Sequence, residues 1–307
     1  MRYGLPYKGS KNQIAEWIVD HLPRAETFVD LFFGGGAITH RALLSGKWKK
    51  FIANDIDGRL PKFFLDCAYG KYTVENHPEW ISREEFNKRK DEDAYIALIW
   101  SFGNNGKDYL YGKDIEEWKK AYHYAVVFDD MSLLKRLGIH LKHSNKKDAY
   151  NRYLDYSRQI NNFKHNMLEN YTRLQTIEHL QSLQSLQSLQ SDYSNVKIPD
   201  GALIYCDPPY VETNCGKYEG FDSQRFYEWA EAQDNIWISE YTMPDIFIPI
   251  AWTEKQILSA ANGNSNKAIE RLYTNRQTYE KLTDSDREMY QWNFTKQMTI
   301  FDYLGEA

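Results

Sequence analysis

The chain has 307 residues, 42% of them hydrophobic and 15% aromatic, and a net charge of −5. Such a length suits one large domain or two modest ones with a sizeable core. No run of about 18 apolar residues marks a membrane span, and the acidic balance excludes a globally basic nucleic-acid binder while leaving a local basic face open.

Three cysteines, Cys67, Cys206 and Cys215, are odd in number and lack C-x-x-C spacing, so neither a disulfide framework nor a zinc site is indicated. The N-terminal residues lack the apolar stretch of a signal peptide, and a reducing cytoplasm is the expected home.

In chain order, Ser10 to Leu22 reads as an amphipathic helix with Ile14, Trp17, Ile18 and Leu22 at helical spacing and Ser10 as its N-cap. Thr27 to Phe33 reads as a strand that runs into Gly34-Gly35-Gly36, followed by a helix from Ala37 to Leu44. Phe51 to Asp55 reads as a second strand, ending in an acid about twenty positions after the glycines, which is Rossmann-like logic.

From about Gly58 to Ser191 strand signals thin out and helical, charged and aromatic stretches dominate, as in Asp93 to Phe102 and Ser132 to Arg173. Within Ser132 to Asn166 eight Lys or Arg side chains (Lys135, Arg136, Lys142, Lys146, Lys147, Arg152, Arg158 and Lys164) face only Asp148 and Asp155. Tyr150, Tyr153, Tyr156 and Phe163 interleave with them. The stretch reads as a phosphate-contacting surface. A solvated helix face would look the same.

The triplet Leu-Gln-Ser then repeats four times from Leu180 to Ser191. Its period matches neither strand nor α-helix, and it reads as a connector of variable length. Strands resume at 202–206, 235–239 and 268–273.

Asp207-Pro208-Pro209-Tyr210 follows the 202–206 strand. It sets a carboxylate, two imino acids and a ring at the C-terminal end of a strand, where open α/β sheets bind ligands. The prolines stiffen the turn and remove two donors, leaving the Pro208 carbonyl to accept a bond from outside the chain. Two acceptors and a flat ring suit an exocyclic amino group on a planar base. Cys206, next door, reads as a core residue rather than a nucleophile. Gly34 and Gly36 allow a tight turn, but no phosphate-cradling loop occurs. A ligand with a ribose and no phosphates fits Asp55 better, and S-adenosylmethionine is such a ligand. His140 and His143 lack a third metal ligand, so no metal is expected.

These motifs together resemble the Dam-type, α-group (D12 class) DNA adenine-N6 methyltransferases, most closely phage-borne members. Tyr7-Lys8-Gly9-Ser10-Lys11 looks like their N-terminal cofactor motif and Phe32-Phe33-Gly34-Gly35-Gly36 like their glycine motif. Asn54-Asp55 looks like the ribose-binding acid. Ser101 to Gly106 with Tyr109 to Gly112, Ile238 to Tyr241 and Glu270 to Tyr273 are also similar, and Asp207 to Tyr210 is the catalytic motif. The Leu-Gln-Ser run departs from the family, and Tyr7 stands where other members carry Trp.

The resemblance implies a Rossmann-like S-adenosylmethionine-dependent methyltransferase sheet, with a catalytic domain at 1–57 and 192–307. A mostly helical target-recognition insertion would occupy 58–191, its Leu-Gln-Ser connector at 180–191. Asp207, Pro208, Pro209 and Tyr210 would be catalytic. Tyr7, Lys11, Phe32, Gly34, Gly36, Asp55, Ile56, Asp192, Tyr193 and Asp207 would meet the cofactor, with Asp192-Tyr193 at its adenine. Lys135, Arg136, Lys142, Lys146, Lys147 and Arg152 would meet DNA. Thr213, Tyr218 and Phe221-Asp222 would form a loop over an extruded base. The implied partner is double-stranded DNA, with a cognate restriction endonuclease as a further candidate. An RNA or cytosine-N4 amino methyltransferase and a catalytically silent DNA-binding relative remain open as alternatives.

Overall fold

Residues 2–161, 163–177, 180, 183–209, 220–258, 265–288 and 290 are described by a computed structural model of the chain. Strands β1 (Thr27–Asp30), β2 (Lys50–Asp55), β3 (Leu186–Gln190), β4 (Leu203–Cys206), β5 (Ile236–Glu240), β6 (Phe247–Leu258) and β7 (Ser265–Asn275) form one sheet. Its order is β3-β2-β1-β4-β5-β7-β6. The first five of these run parallel, and β7 lies antiparallel between β5 and β6.

β1, β4 and β5 are buried along their whole length, as expected of central parallel strands covered on both faces. Their runs, Thr-Phe-Val-Asp, Leu-Ile-Tyr-Cys and Ile-Trp-Ile-Ser-Glu, are mostly apolar, and each has an acid at or just after its C-terminal end. The chain steps outward from β1 to β2 and β3, then returns to place β4 on the other side of β1. That reversal is the topological switch point of a doubly wound sheet.

The chain divides into two compact units, one of residues 11–33, 37–58 and 184–307 and one of residues 1–10, 34–36 and 59–183. The dividing points differ from those read in the sequence, at 57 and 191. The sheet belongs wholly to the first unit. Val29, Ile204, Cys206, Ile238 and Phe226 are among the residues of its main buried cluster. The second unit is helical. Glu116–Phe128, Ser132–Arg136 and Ala149–Gln159 carry its core through Tyr122, Val126, Leu134 and Tyr156. Among the described residues no helix is long and apolar enough to cross a membrane.

Two local expectations change. The first helix spans Ala15–His21, entered through a 3-10 turn at Lys11–Gln13, and Ile14 rather than Ser10 occupies its N-cap. The Leu-Gln-Ser run is not merely a connector, because Leu186–Gln190 pairs in parallel with β2 from Phe51 to Asp55. An edge strand needs few buried side chains. Leu186 is buried and Leu189 packs on the main cluster, while the intervening Gln187 and Ser188 face solvent. Three-residue spacing puts these leucines on opposite faces of a strand, which suffices at an edge.

Asn275 shows how the end of the sheet is locked to the helices. It is 1% exposed, and its side-chain amide lies within hydrogen-bonding distance of the carbonyls of Ala230, Glu231 and Gln233, at and just past the end of the helix Ser223–Glu231. Its Oδ1 accepts from the Thr278 amide and caps the next helix, Arg276–Lys281. Asn275→Ala strands these buried groups and is expected to destabilise the protein by about 3 kcal/mol, measured as a lower urea midpoint with unchanged slope.

Candidate functional site

The C-terminal ends of β1 and β4 flank the switch point, and each presents an acid there. Asp30 ends β1, paired in register with Tyr205, and Asp207 follows β4 directly. Lys11, in the 3-10 turn, is 3% exposed, with Nζ 2.6 Å from Asp207 Oδ1 and 3.4 Å from Glu270 Oε1. Glu270, on β7, has no exposed surface, whereas the Asp207 side chain keeps 21%. Burying a lone ammonium costs several kcal/mol. Here burial pushes Lys11 down, but Asp207 and then Glu270 outweigh it and raise its pKa above that of an ordinary lysine. Lys11 is therefore a fixed cation between two carboxylates.

Two further acids close the cluster. Burial pushes Asp30 up to about 7, against the Thr39 hydroxyl that donates to its Oδ2 at 2.7 Å, with Asp207 and Asp55 adding to the rise. Burial likewise pushes Glu240, at the end of β5, up to about 8, against the backbone bond from Tyr241 and helped by Asp207. Near neutrality Glu240 holds its proton and Asp30 is close to half-protonated. That leaves Asp207 and Glu270 as the carboxylates on Lys11, and of the two only Asp207 has a side chain open to solvent.

Asp55 ends β2, with its Oδ1 accepting from the Asp57 amide at 2.9 Å. The adjoining Ile56 is 67% exposed. A carboxylate beside an uncovered apolar side chain offers acceptors for hydroxyls and a face for a ring. Pro208 is buried and Pro209 half-buried after Asp207. Tyr210, Thr213 and Tyr218 lie outside the described residues.

In the helical unit the glycine turn packs against the N-terminal segment. Gly34 and Gly36 have φ of 51° and 67°, a region that suits glycine. Gly35 matters for another reason, since a Cβ there would sit 2.6 Å from Tyr7 Cβ and its carbonyl accepts from the Leu5 amide at 2.7 Å. The sequence motif singled out the two outer glycines. The close approach is at the middle one.

Several expected site residues have structural work. Arg152 is 7% exposed and gives its guanidinium to the carbonyls of Val126, Val127, Lys146 and Lys147, so it does not face a phosphate. Lys135, Arg136, Lys142, Lys146 and Lys147 are exposed. Asp192 is held by the Arg225 guanidinium at 2.9 and 3.1 Å and by Ser194, which keeps its carboxyl below the usual range. Tyr193 is 6% exposed in an aromatic cluster with Phe32, Phe226 and Trp229. Phe221 joins that cluster against Phe32, and Asp222 caps the helix Ser223–Glu231. Cys206 is buried in the core and its thiol is pushed well up by burial.

Asp30, Glu240 and Glu270 were not singled out as site residues from sequence. One signal was available: a lysine bound for the interior needs carboxylates, and strand ends rich in acid were already visible.

Asp30 carries a pH consequence. Its folded-state pKa lies above the unfolded value of about 3.9, so the folded protein keeps a proton that the unfolded chain has released. Stability from this group is therefore full below about pH 4 and is lost as pH rises through about 7. Asp30→Asn can keep the bond from Thr39 and cannot ionise. It is expected to be more stable than the parent at about pH 8, by on the order of 2 kcal/mol, with the gain vanishing toward about pH 4 in urea titrations.

Residues 7–243 match the family described as D12 class N6 adenine-specific DNA methyltransferase. The Type II methyltransferase M.MjaIII of Methanocaldococcus jannaschii is 26% identical over 248 residues, covering 77% of this chain and 78% of that protein. Among solved structures, the 23S rRNA methyltransferase ErmE is similar at a TM-score of 0.34 and 10% identity, over 92% of this chain and 74% of that one.

Proposed function

The chain belongs to the D12 class N6 adenine-specific DNA methyltransferases, and from that membership we propose a site-specific enzyme that uses S-adenosylmethionine and holds a flipped-out adenine of double-stranded DNA at Asp207 and the Pro208 carbonyl. The observation that carries the assignment is the placement of Asp207: just past β4 at the switch point, partly open, and ion-paired to a buried lysine.

Asp55 and Ile56 fit the donor, the one as acceptor for ribose hydroxyls and the other as an apolar face for its adenine. Tyr7, Phe32, Gly34, Gly36, Lys11, Asp192 and Tyr193 keep the cofactor roles that the family resemblance gives them, Tyr193 beside Phe32. S-adenosylmethionine, when bound, supplies an electrophilic methyl group on a positively charged sulfur.

The adenine N6 lone pair is delocalised into the ring and is a poor nucleophile. Two hydrogen bonds from N6–H, to the Asp207 carboxylate and the Pro208 carbonyl, localise it on nitrogen. As N6 would form its bond to the methyl carbon, the carbon–sulfur bond would break with its electron pair going to sulfur, which leaves as a neutral thioether, and positive charge would grow on N6 beside Asp207, which stabilises that charge more in the transition state than in the ground state. The methylated amine is then strongly acidic and gives up its proton without needing a strong base. Turning the adenine out of the duplex costs a few kcal/mol, which contacts in the pocket offset. Tyr210, catalytic by the family resemblance, would stack on the extruded base.

The test compares the parent protein with Asp207→Ala for tritiated methyl transfer from S-adenosylmethionine to unmethylated DNA, with product nucleosides resolved by mass. N6-methyladenine from the parent and a rate at least about a hundredfold lower in the variant are expected. An Asp207→Ala protein that still methylates at the parental rate would sink the assignment.

The exposed basic side chains Lys135, Arg136, Lys142, Lys146 and Lys147 contact phosphates on this reading. Removing both Lys146 and Lys147 is expected to lower the slope of log affinity against log salt by about 2. Arg152→Ala should lower thermal stability and leave that slope unchanged. The name of the Methanocaldococcus relative, a Type II methyltransferase, supports a restriction-modification setting with a cognate restriction endonuclease.

A further inference from the structure

Glu270 opens the Glu270–Tyr273 stretch that resembles the family, and it lies beyond residue 243, where the match to the family model ends. It is nonetheless the second carboxylate on Lys11. We propose that Glu270 is a positioning residue for methyl transfer: held on β7 against Lys11, it draws off part of the ammonium's charge and leaves Asp207 able to act as an anion toward the target amine. The inference rests on the assignment of Asp207 given above.

Strand geometry supports it. Side chains alternate along a strand, and Asp207 follows the end of β4 two places after Tyr205. The Tyr205 hydroxyl donates to Ser239 Oγ at 2.8 Å, which puts Ser239 of β5 on the face of Tyr205. Ser239 is paired with Leu272 of β7 in antiparallel register, and directly opposed residues share a face. Glu270, two residues before Leu272, therefore projects to the face of Tyr205. Three successive strands bring the two carboxylates to one side, and the 3-10 turn places Lys11 Nζ 2.6 Å from one and 3.4 Å from the other.

The charge arithmetic gives the contact its purpose. An ammonium paired with Asp207 alone would form a neutral couple, with little field left for a cation developing on N6. Two carboxylates on one ammonium leave a net negative trio, and Asp207 is its solvent-facing end. A Glu with no exposed surface is costly to keep charged, so the trio is coherent only while Lys11 stays charged between both acids.

The experiment measures single-turnover methyl transfer to unmethylated duplex DNA across pH, with cofactor affinity measured separately. Glu270→Gln keeps the shape and removes the charge. Its rate is expected to fall about tenfold, with cofactor Kd and DNA KM within about threefold. Without its anionic neighbour Asp207 becomes more acidic, so the acidic limb of the rate profile should move to lower pH by about one unit. Glu270→Asp keeps the charge and should restore most of the rate and the parental limb. In a Lys11→Met background Glu270→Gln should cost little further, because its path to Asp207 is gone. That comparison also serves if the single Gln variant does not fold. A folded Glu270→Gln protein with parental rate and limb, or one whose loss is undiminished without Lys11, overturns the proposal. Full activity in Asp207→Ala would instead overturn the assignment on which it rests.

Discussion

A buried ammonium between two carboxylates is the constraint around which the sheet unit is arranged. Lys11 is almost wholly enclosed, and an enclosed cation is tolerated only where anions meet it. That requirement fixes where the 3-10 turn before the first helix must sit, and it ties together β4 and β7, whose sequence positions are about sixty residues apart. It also explains why acids crowd the strand ends without driving them apart. Burial pushes Glu240 up to about 8 and Asp30 up to about 7, so near neutrality these two add little to the negative charge that Asp207 and Glu270 leave over Lys11.

Much of this was legible in the sequence. The glycine turn, the acid ending β2 and the Asp-Pro-Pro-Tyr motif are local patterns, and each reports backbone geometry that its residues cannot avoid. The strands around them are apolar runs of the right length, and most lie within a few residues of where those runs suggest. Family membership and the reaction follow from the same motifs. The partner of Lys11 was not legible, because it depends on strand register. Glu270 and Leu272 could be assigned to the face of Tyr205 only once β5 and β7 were seen to pair antiparallel. Asp30 and Glu240 were visible as acids at strand ends, but their burial was not.

Charge counting misled where burial decides. Arg152 contributes to a basic stretch as much as its neighbours do, yet its guanidinium serves four backbone carbonyls inside the helical unit. A phosphate-binding arginine and a carbonyl-binding arginine look alike in one dimension. Asp192 and Tyr193, acid and aromatic in sequence, also have partners in the fold, an ion pair with Arg225 and an aromatic contact with Phe226. The glycine turn erred in the other direction. The outer glycines answer to dihedral angle and the central one to contact with Tyr7, and only the first of these has a sequence signature.

The edge strand has a property that its neighbours lack. The five residues Leu-Gln-Ser-Leu-Gln that pair with β2 occur identically at 180–184 and 183–187 as well as at 186–190. Sliding the chain forward by one or two triplets would present the same side chain at every position of the ladder. The pairing is therefore defined only modulo three. Gain or loss of a whole Leu-Gln-Ser unit would change the number of residues before the strand and leave the composition of the strand itself untouched. The sheet edge is buffered against one kind of genetic error by the monotony of its own sequence.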